Sequence, residues 1–186
     1  LLKGINVWKD VAEHTQPMLE IKVTDGRAGE GVAPWMLHFD HAEIEEGPMG
    51  YMCEDRYLRR ALLAACDAEP LITQLNEETV VAQSVASNAM SVTLKSGKTI
   101  AASIVVGADG RKSGTATRAG IKRTGWGYGQ TAIVCAVTHD LPHGGIAHQF
   151  FMPNGPLAIL PLPGNRCSIV WSESEARAAE IMDMND

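Results

Sequence analysis

Apolar and polar residues alternate in two stretches near the start of the chain, "MLEIKVTDG" at residues 18–26 and "WMLHFD" at residues 35–40. Alternation with a period of two is typical of a half-exposed strand. The two stretches flank a turn-rich segment, so residues 18–40 are predicted to form a hairpin-like pair of strands. Before them, residues 1–15 place apolar residues with a helical spacing and are predicted to be helical.

The middle of the chain changes from a helical to a strand pattern. In "YMCEDRYLRRALLAACDAE", residues 51–69, an apolar stripe indicates a helix of about three turns; the stripe consists of Leu58, Ala61, Leu62, Ala65 and Cys66. Two short strands are predicted next, followed by a hairpin that turns at Ser96 and Gly97. Its return strand leads into the apolar triple Ile104–Val106. Such a triple is what a strand that is covered on both faces requires.

From Thr124 onward, four strand candidates joined by Pro and Gly turns predict an antiparallel sheet that could roof a ligand. The last segment, "ESEARAAEIMDMND", is predicted to be a helix. The fold class is therefore α+β, an α/β part followed by an antiparallel-sheet part, with a junction near residues 122–125. The chain starts with Leu1, and both of its ends look interrupted, so the sequence is interpreted as a fragment.

Composition narrows the function classes. The 186 residues are 45% hydrophobic with a mean hydropathy of -0.05, which suits one globular domain or parts of two. A net charge of -6 with scattered Lys and Arg argues against a nucleic-acid partner. Four cysteines without a CxxC pair indicate the reduced thiols of a cytosolic protein. Residues 141–164 carry no charge, but their prolines and glycines would break a transmembrane helix.

Asp109 follows the predicted strand at Ile104–Val106, with Gly107 and Gly110 on either side. Ligands of open α/β sheets bind outside the carboxyl ends of strands, where a carboxylate can accept hydrogen bonds from sugar hydroxyls. Glycines at this point let the backbone approach a ligand closely. The alternative is a turn in which the Asp109 side chain bonds its own backbone.

Three motifs resemble one family. "VVGADGRKSGTATRAGI" is similar to the Asp-Gly element of flavin-dependent aromatic hydroxylases, and "GYMCEDRYLRRALL" resembles their helix start with a flavin-contacting arginine, here Arg56. The segment from Thr124 to Trp171 is similar to one branch, the ubiquinone-biosynthesis hydroxylases (the UbiH, UbiF and VisC group). The resemblance implies a p-hydroxybenzoate hydroxylase-like fold, here incomplete, with FAD as cofactor and NAD(P)H as reductant.

The same resemblance implies a cofactor site, a substrate and a domain division. The cofactor-binding residues would be Arg56, Gly107, Asp109, Gly110 and Arg118. Residues 1–16 and 52–123 would form part of an FAD-binding domain, and residues 17–51 and 124–186 part of a substrate-binding domain. The substrates would be O2 and a polyprenylated phenol, whose ring is hydroxylated. A ubiquinone-biosynthesis complex is an implied partner, and the location would be cytoplasmic or peripheral at the inner membrane.

Two departures from the family pattern stand out. Ala116 occupies the place where the pattern has arginine, so Arg118 is the candidate for that contact. The GxGxxG turn that receives the FAD pyrophosphate is missing, as is the later Gly-Asp element, so this chain holds about half of a flavin site and is expected to be inactive alone.

The sheet after Thr124 supplies the substrate-pocket candidates Tyr128, Gln130, His148 and Phe150, because each pair alternates onto one face of its own strand. His148 is the catalytic candidate, as a proton relay, with a packed sheet histidine as the alternative. Nearly charge-free strands favour a prenylated over a carboxylated phenol, which would require an arginine in the pocket. Arg166 is the arginine of this region and is placed at a turn.

Other constellations are weaker. His38 with His41, and His139 with His143, have metal-like spacings, but no Cys or Glu completes a four-ligand set, so no metal site is predicted. Two alternative functions stay open: a non-catalytic module that binds an apolar ligand or docks in a complex, and a catabolic phenol hydroxylase of the same fold.

Overall fold

The computed structural model describes residues 1–27, 31–44, 46–86 and 89–184. The chain divides into two compact units. The first unit consists of Leu1–Glu69 and Gly127–Asp186, and the second unit of Pro70–Trp126. Among the helices of the described residues, none has the length and apolar character needed to cross a bilayer.

The described residues form helices and strands throughout. The helices are α1 (Trp8–Val11), α2 (Asp55–Ala68), α3 (Gly114–Arg118) and α4 (Glu175–Met182), with short 3-10 helices at Ala12–His14 and His41–Glu43. The strands are β1 (Thr15–Met18), β2 (Glu20–Arg27), β3 (Gly31–Val32), β4 (Leu37–Asp40), β5 (Gly50–Cys53), β6 (Val80–Val85), β7 (Met90–Leu94), β8 (Thr99–Ala102), β9 (Gln130–Thr138), β10 (Ile146–Met152), β11 (Gly155–Leu162) and β12 (Arg166–Ser174).

A seven-stranded sheet dominates the first unit, in the order β3-β2-β10-β11-β12-β9 with β4 beside β2. The predicted pairing within residues 18–40 is confirmed, because β2 and β4 pair antiparallel. The four strands predicted after Thr124 are confirmed as β9 to β12, and neighbouring strands of this set pair antiparallel. Strand β10 pairs with β2 in parallel, which joins the early and late parts of the chain in one sheet.

Strand register assigns the side chains to two faces of this sheet. The His148 face carries Lys22, Ile159 and Ile169 in line with His148. The opposite Val134 face carries Val23, Ala158 and Val170 in line with Val134. Because side chains alternate along a strand, Phe151, Arg166 and Gln130 also belong to the Val134 face.

The buried core of the first unit lies where α1 meets α2. Val7, Val11 and Ala61 are buried together, and partly buried residues pack around them: Leu2, Trp8, Cys53, Leu58 and Ala65. The helix predicted within residues 51–69 is confirmed, although it begins at Asp55 because Gly50–Cys53 pairs with β1 as a strand. A helix over residues 1–15 is wrong. Asn6 has φ 60, a left-handed conformation that an α-helix cannot contain, so α1 starts only at Trp8.

The second unit contains an antiparallel sheet in the order β6-β7-β8. The hairpin predicted at Ser96 and Gly97 is confirmed, with Gly97 at φ 88. Between α2 and Met90 the structure has the single strand β6 among its described residues, not two. The predicted strand at Ile104–Val106 is also wrong, because no described segment of this unit pairs with its backbone. The side chains of Ile104 and Val106 are 74% and 77% exposed.

Candidate cofactor and substrate sites

Asp109 of the second unit organises the loop that leads into α3. One carboxylate oxygen, Oδ1, accepts a hydrogen bond from the Ser113 hydroxyl. The other, Oδ2, accepts from the Thr115 amide N at 2.9 Å and the Thr115 hydroxyl at 3.0 Å. Ser113 caps α3 in turn, since its Oγ accepts from the Ala116 amide at 3.0 Å. The local role considered from the sequence is therefore present, since Ser113 and Thr115 both donate to the Asp109 carboxylate.

Asp109 keeps its negative charge over a wide pH range. The Ser113 hydroxyl, followed by the Thr115 amide, holds the pKa of the Asp109 carboxyl well below its usual range. A lowered folded-state pKa stabilises the fold above the unfolded-state pKa of about 3.9, and this stabilisation is lost only as the pH falls through the folded value. Near neutral pH the loop therefore presents a fixed anion.

The two positions beside Asp109 favour glycine for different physical reasons. A Cβ at Gly107 would lie 2.9 Å from Thr115 Cγ2, so this position is kept small by contact with α3. Gly110 has φ +76, which side-chain-bearing residues rarely adopt, and faces open space. Gly110 thus combines a left-handed turn with room for a ligand, whereas Gly107 is occupied by a protein contact.

A cavity of about 550 Å³ in the second unit adjoins Asp109. Lys112 and Arg118 line it together with an apolar wall that includes Val80 and Val106. Arg118 is held in place, because its Nε donates to Gln83 Oε1 at 3.2 Å and its Nη2 to Thr115 Oγ1 at 3.4 Å. Lys112 is not among the site residues predicted from the sequence, although its position three residues after Asp109 is a usable signal.

Arg56 lies in the first turn of α2, in the first unit, with an exposed side chain. Its Nη2 donates to Glu54 Oε2 at 3.0 Å, and its guanidinium carbon lies 4.7 Å from the centre of the Tyr57 ring. The same Glu54 carboxylate binds Arg166. Asp109, Gly107, Gly110 and Arg118 are thus gathered in the second unit, whereas Arg56 belongs to the first.

The four predicted pocket residues separate within the first unit. His148 and Phe150 share the His148 face, with ring centres 6.1 Å apart and planes inclined by 14°. Gln130 belongs to the Val134 face, and its Nε2 donates to the Asn154 carbonyl at 2.6 Å. Tyr128 precedes β9 and is exposed. Their role as substrate-pocket residues stays a prediction.

His148 is uncharged near neutral pH. Burial lowers its pKa, and the positive charge of Lys22 lowers it further against the opposing effect of Glu20. A neutral imidazole can accept a proton, which the predicted relay role requires, but a packed sheet histidine has the same property.

The lowered pKa of His148 makes a pH-dependent stability measurable. In the unfolded chain His148 takes up a proton as the pH falls through about 6.5, whereas the folded chain resists this until its own lower pKa. The protein should therefore lose stability below about pH 6.5. Between about pH 7.5 and 5.5, we expect the thermal unfolding midpoint of His148→Gln to fall by less than that of wild type. Equal losses in the two proteins would contradict the assignment.

The histidines with metal-like spacing have protein partners. His38 Nε2 lies 2.7 Å from Glu20 Oε2, and His41 Nδ1 lies 3.0 Å from the Leu19 carbonyl. His139 Nε2 lies 3.2 Å from Cys167 Sγ, while His143 Nε2 lies 2.9 Å from two carbonyls. Outside residues 28–30, 45, 87–88 and 185–186, no group of three or more His, Cys, Asp or Glu side chains could hold a metal ion.

The Val134 face of the sheet is open and apolar on its β2 side. A cavity of about 260 Å³ is lined there mainly by Val23, Trp35, Met36, Leu37 and Phe151. Trp35, Leu37 and Phe151 remain exposed to solvent. Sequence reasoning missed this cavity, because the alternation in "WMLHFD" predicts a strand but does not tell which face stays uncovered.

Curated relatives were found across nearly the whole chain, whereas no family model matches. The chain is 45% identical over 173 residues to the ubiquinone hydroxylase UbiL of Rhodospirillum rubrum, covering 93% of this chain and 39% of that protein. It is 34% identical over 186 residues to the 3-demethoxyubiquinol 3-hydroxylase of Escherichia coli, covering 100% of this chain and 46% of that protein. The chain thus spans less than half the length of these relatives.

Solved structures confirm the α+β fold class. The crystal structure of Pseudomonas aeruginosa PqsL in complex with 2-aminobenzoylacetate matches with a TM-score of 0.76 and 23% identity, over 96% of this chain and 50% of that one. Klebsiella pneumoniae HpxO complexed with FAD and uric acid matches with a TM-score of 0.64 and 18% identity, over 91% and 44%. At these identities the likeness concerns the fold. On the similarity of sequence, the chain belongs to the family of ubiquinone-biosynthesis FAD-dependent hydroxylases.

Proposed function

We propose that the full-length protein containing this chain is an FAD-dependent monooxygenase that hydroxylates the ring of a polyprenylated phenol in ubiquinone biosynthesis, using NAD(P)H and O2. One observation carries the proposal: the similarity to two hydroxylases named for ubiquinone or demethoxyubiquinol extends over 93% and 100% of this chain. Residues 1–16 and 52–123 are assigned to the FAD-binding domain, and residues 17–51 and 124–186 to the substrate-binding domain.

The lining of the cavity in the second unit supports the binding of part of FAD. Asp109 can accept a hydrogen bond from a sugar hydroxyl, and the cations Lys112 and Arg118 in the same lining suit a diphosphate. Gly110 leaves its surroundings open to a ligand. FAD supplies the redox chemistry when bound, while these residues would bind and orient it. Arg56 of the first unit is proposed as an FAD contact on the family resemblance alone.

The apolar cavity of the first unit supports a prenylated substrate. Among the residues that the structure describes, its lining contains the carboxylate of Asp25 but no arginine or lysine, so a carboxylated phenol would find no countercharge in this part of the cavity. Exposed Trp35, Leu37 and Phe151 would instead be removed from water by an isoprenoid chain. A prenylated substrate partitions into lipid, so we further propose a cytoplasmic protein that associates peripherally with the inner membrane, within a ubiquinone-biosynthesis complex.

Purified full-length protein tests the proposed function against its two alternatives. We expect bound FAD and NAD(P)H consumption that rises with a prenylated phenol more than with a short phenol. A catabolic phenol hydroxylase would prefer the short phenol. A protein that binds an apolar ligand but retains no FAD would be the non-catalytic module, and the enzyme proposal would fail.

The apolar cavity gives a sharper test through Phe151→Ala. Loss of one large apolar contact should raise KM for the prenylated phenol about tenfold and leave KM for the short phenol within about twofold. Val134→Ala is the matched control, because Val134 is an exposed apolar residue on the same face that does not line the cavity. Equal changes of KM for both phenols would remove the cavity from the substrate site.

A further inference from the structure

Glu54, the residue that precedes α2, sits between two arginines from different parts of the first unit. Arg166, at the start of β12, directs Nη1 to Glu54 Oε2 at 3.1 Å and Nη2 to Glu54 Oε1 at 3.3 Å. Arg56, in the first turn of α2, directs Nη2 to Glu54 Oε2 at 3.0 Å. The side chains of Glu54 and Arg166 are 22% and 33% exposed, whereas that of Arg56 is 62% exposed.

The hydrogen-bond pattern indicates which of these three side chains orients the next. Two parallel N–H to oxygen bonds from one guanidinium fix the plane of the Glu54 carboxylate, which a single contact from a lysine would not do. Oε2 of that fixed carboxylate then determines where the Arg56 guanidinium lies. The Arg56 guanidinium also lies over the Tyr57 ring, with its carbon 4.7 Å from the ring centre.

Charge effects agree with this geometry. The hydrogen bonds from Arg166 are the largest cause that lowers the pKa of Glu54, and the one from Arg56 lowers it further. The Glu54 carboxylate in turn raises the pKa of Arg166. Both shifts favour the charged forms of Glu54 and Arg166, and the formal charges of the three side chains sum to one positive charge.

We propose that Arg166 is a positioning residue for FAD binding: it orients Glu54, and Glu54 holds the Arg56 guanidinium in place for the cofactor. This inference rests on the proposed function, in which Arg56 contacts FAD. Its consequence is that Arg166, on strand β12 of the seven-stranded sheet, would set the geometry of a cofactor contact made by Arg56.

The test is the FAD dissociation constant of the full-length protein, measured by fluorescence titration of the apoprotein. We expect Arg166→Gln to weaken FAD about tenfold and Arg166→Lys, which keeps the charge but not the fork, to weaken it less. In an Arg56→Gln background, Arg166→Gln should add nothing, because its effect passes through Arg56. Arg177→Gln, which breaks the exposed Arg177–Glu180 pair of α4 at 2.7 Å, is the matched control and should leave FAD affinity unchanged.

The outcomes separate the two proposals. If wild type binds no FAD, the proposed function fails. If wild type binds FAD and Arg56→Gln does not weaken it, or if Arg166→Gln weakens FAD equally with and without Arg56, the positioning role is overturned while the function stands. Thermal unfolding of each apoprotein identifies a variant that fails to fold, and Arg166→Lys then carries the comparison.

Discussion

Replacing Asp109 with alanine should weaken FAD binding by the full-length protein on the order of 10- to 100-fold. The substitution removes the carboxylate proposed to accept a ligand hydroxyl. It also leaves the Ser113 hydroxyl and the Thr115 amide without their partner, so the loop into α3 loses its order. The measurement is the FAD dissociation constant, obtained from flavin fluorescence on titration of the apoprotein.

Two further variants separate ligand contact from loop order. Ser113→Ala removes the hydroxyl bond to Asp109 and the cap on the Ala116 amide but keeps the Asp109 carboxylate, so it should weaken FAD less than Asp109→Ala does. Asp140→Ala, an exposed aspartate between β9 and β10, should bind FAD like wild type. If Asp109→Ala also binds FAD like wild type, the carboxylate serves only the turn.

Val11→Ala should lower the free energy of unfolding by about 2–3 kcal/mol, because it leaves a cavity in a packed cluster. Val11 is 0% exposed and lies with Val7 and Ala61 between α1 and α2. Urea unfolding of the full-length protein followed by tryptophan fluorescence measures the change, since Trp8 packs against this cluster.

Val134→Ala deletes the same two methyl groups at a position that is 64% exposed. Its free energy of unfolding should stay within about 0.5 kcal/mol of wild type. Equal destabilisation by the two valine variants would show that the α1–α2 cluster is not the core of the first unit.

Patterns of short range predicted much of the fold. The period-two alternation of "MLEIKVTDG" and the Pro and Gly turns between β9 and β12 are local signals, and the structure contains the corresponding strands. The apolar stripe of α2 predicted a helix for the same reason. In the candidate site, the Asp-Gly element identified a loop whose bonds lie within seven residues of one another, from Asp109 to Thr115.

Features that depend on distant partners escaped prediction. The helical pattern of residues 1–15 was overridden by the left-handed backbone at Asn6. An apolar triple such as Ile104–Val106 predicts a buried strand only if neighbours exist to cover it. The residues next to Arg166 in the sequence predict only a turn. They carry no sign of its bond to Glu54, which lies 112 residues away along the chain. Which sheet face stays open likewise depends on the whole register.

The parallel pairing of β2 with β10 constrains how the chain can be made. Strand β2 is synthesised before its partner β10, which lies beyond the entire second unit. Until β10 is synthesised, the edge of β2 that will pair with it offers free backbone groups to other chains. Residues 20–40 therefore face their greatest risk of aggregation during translation, and chains that terminate before Ile146 would carry that risk permanently.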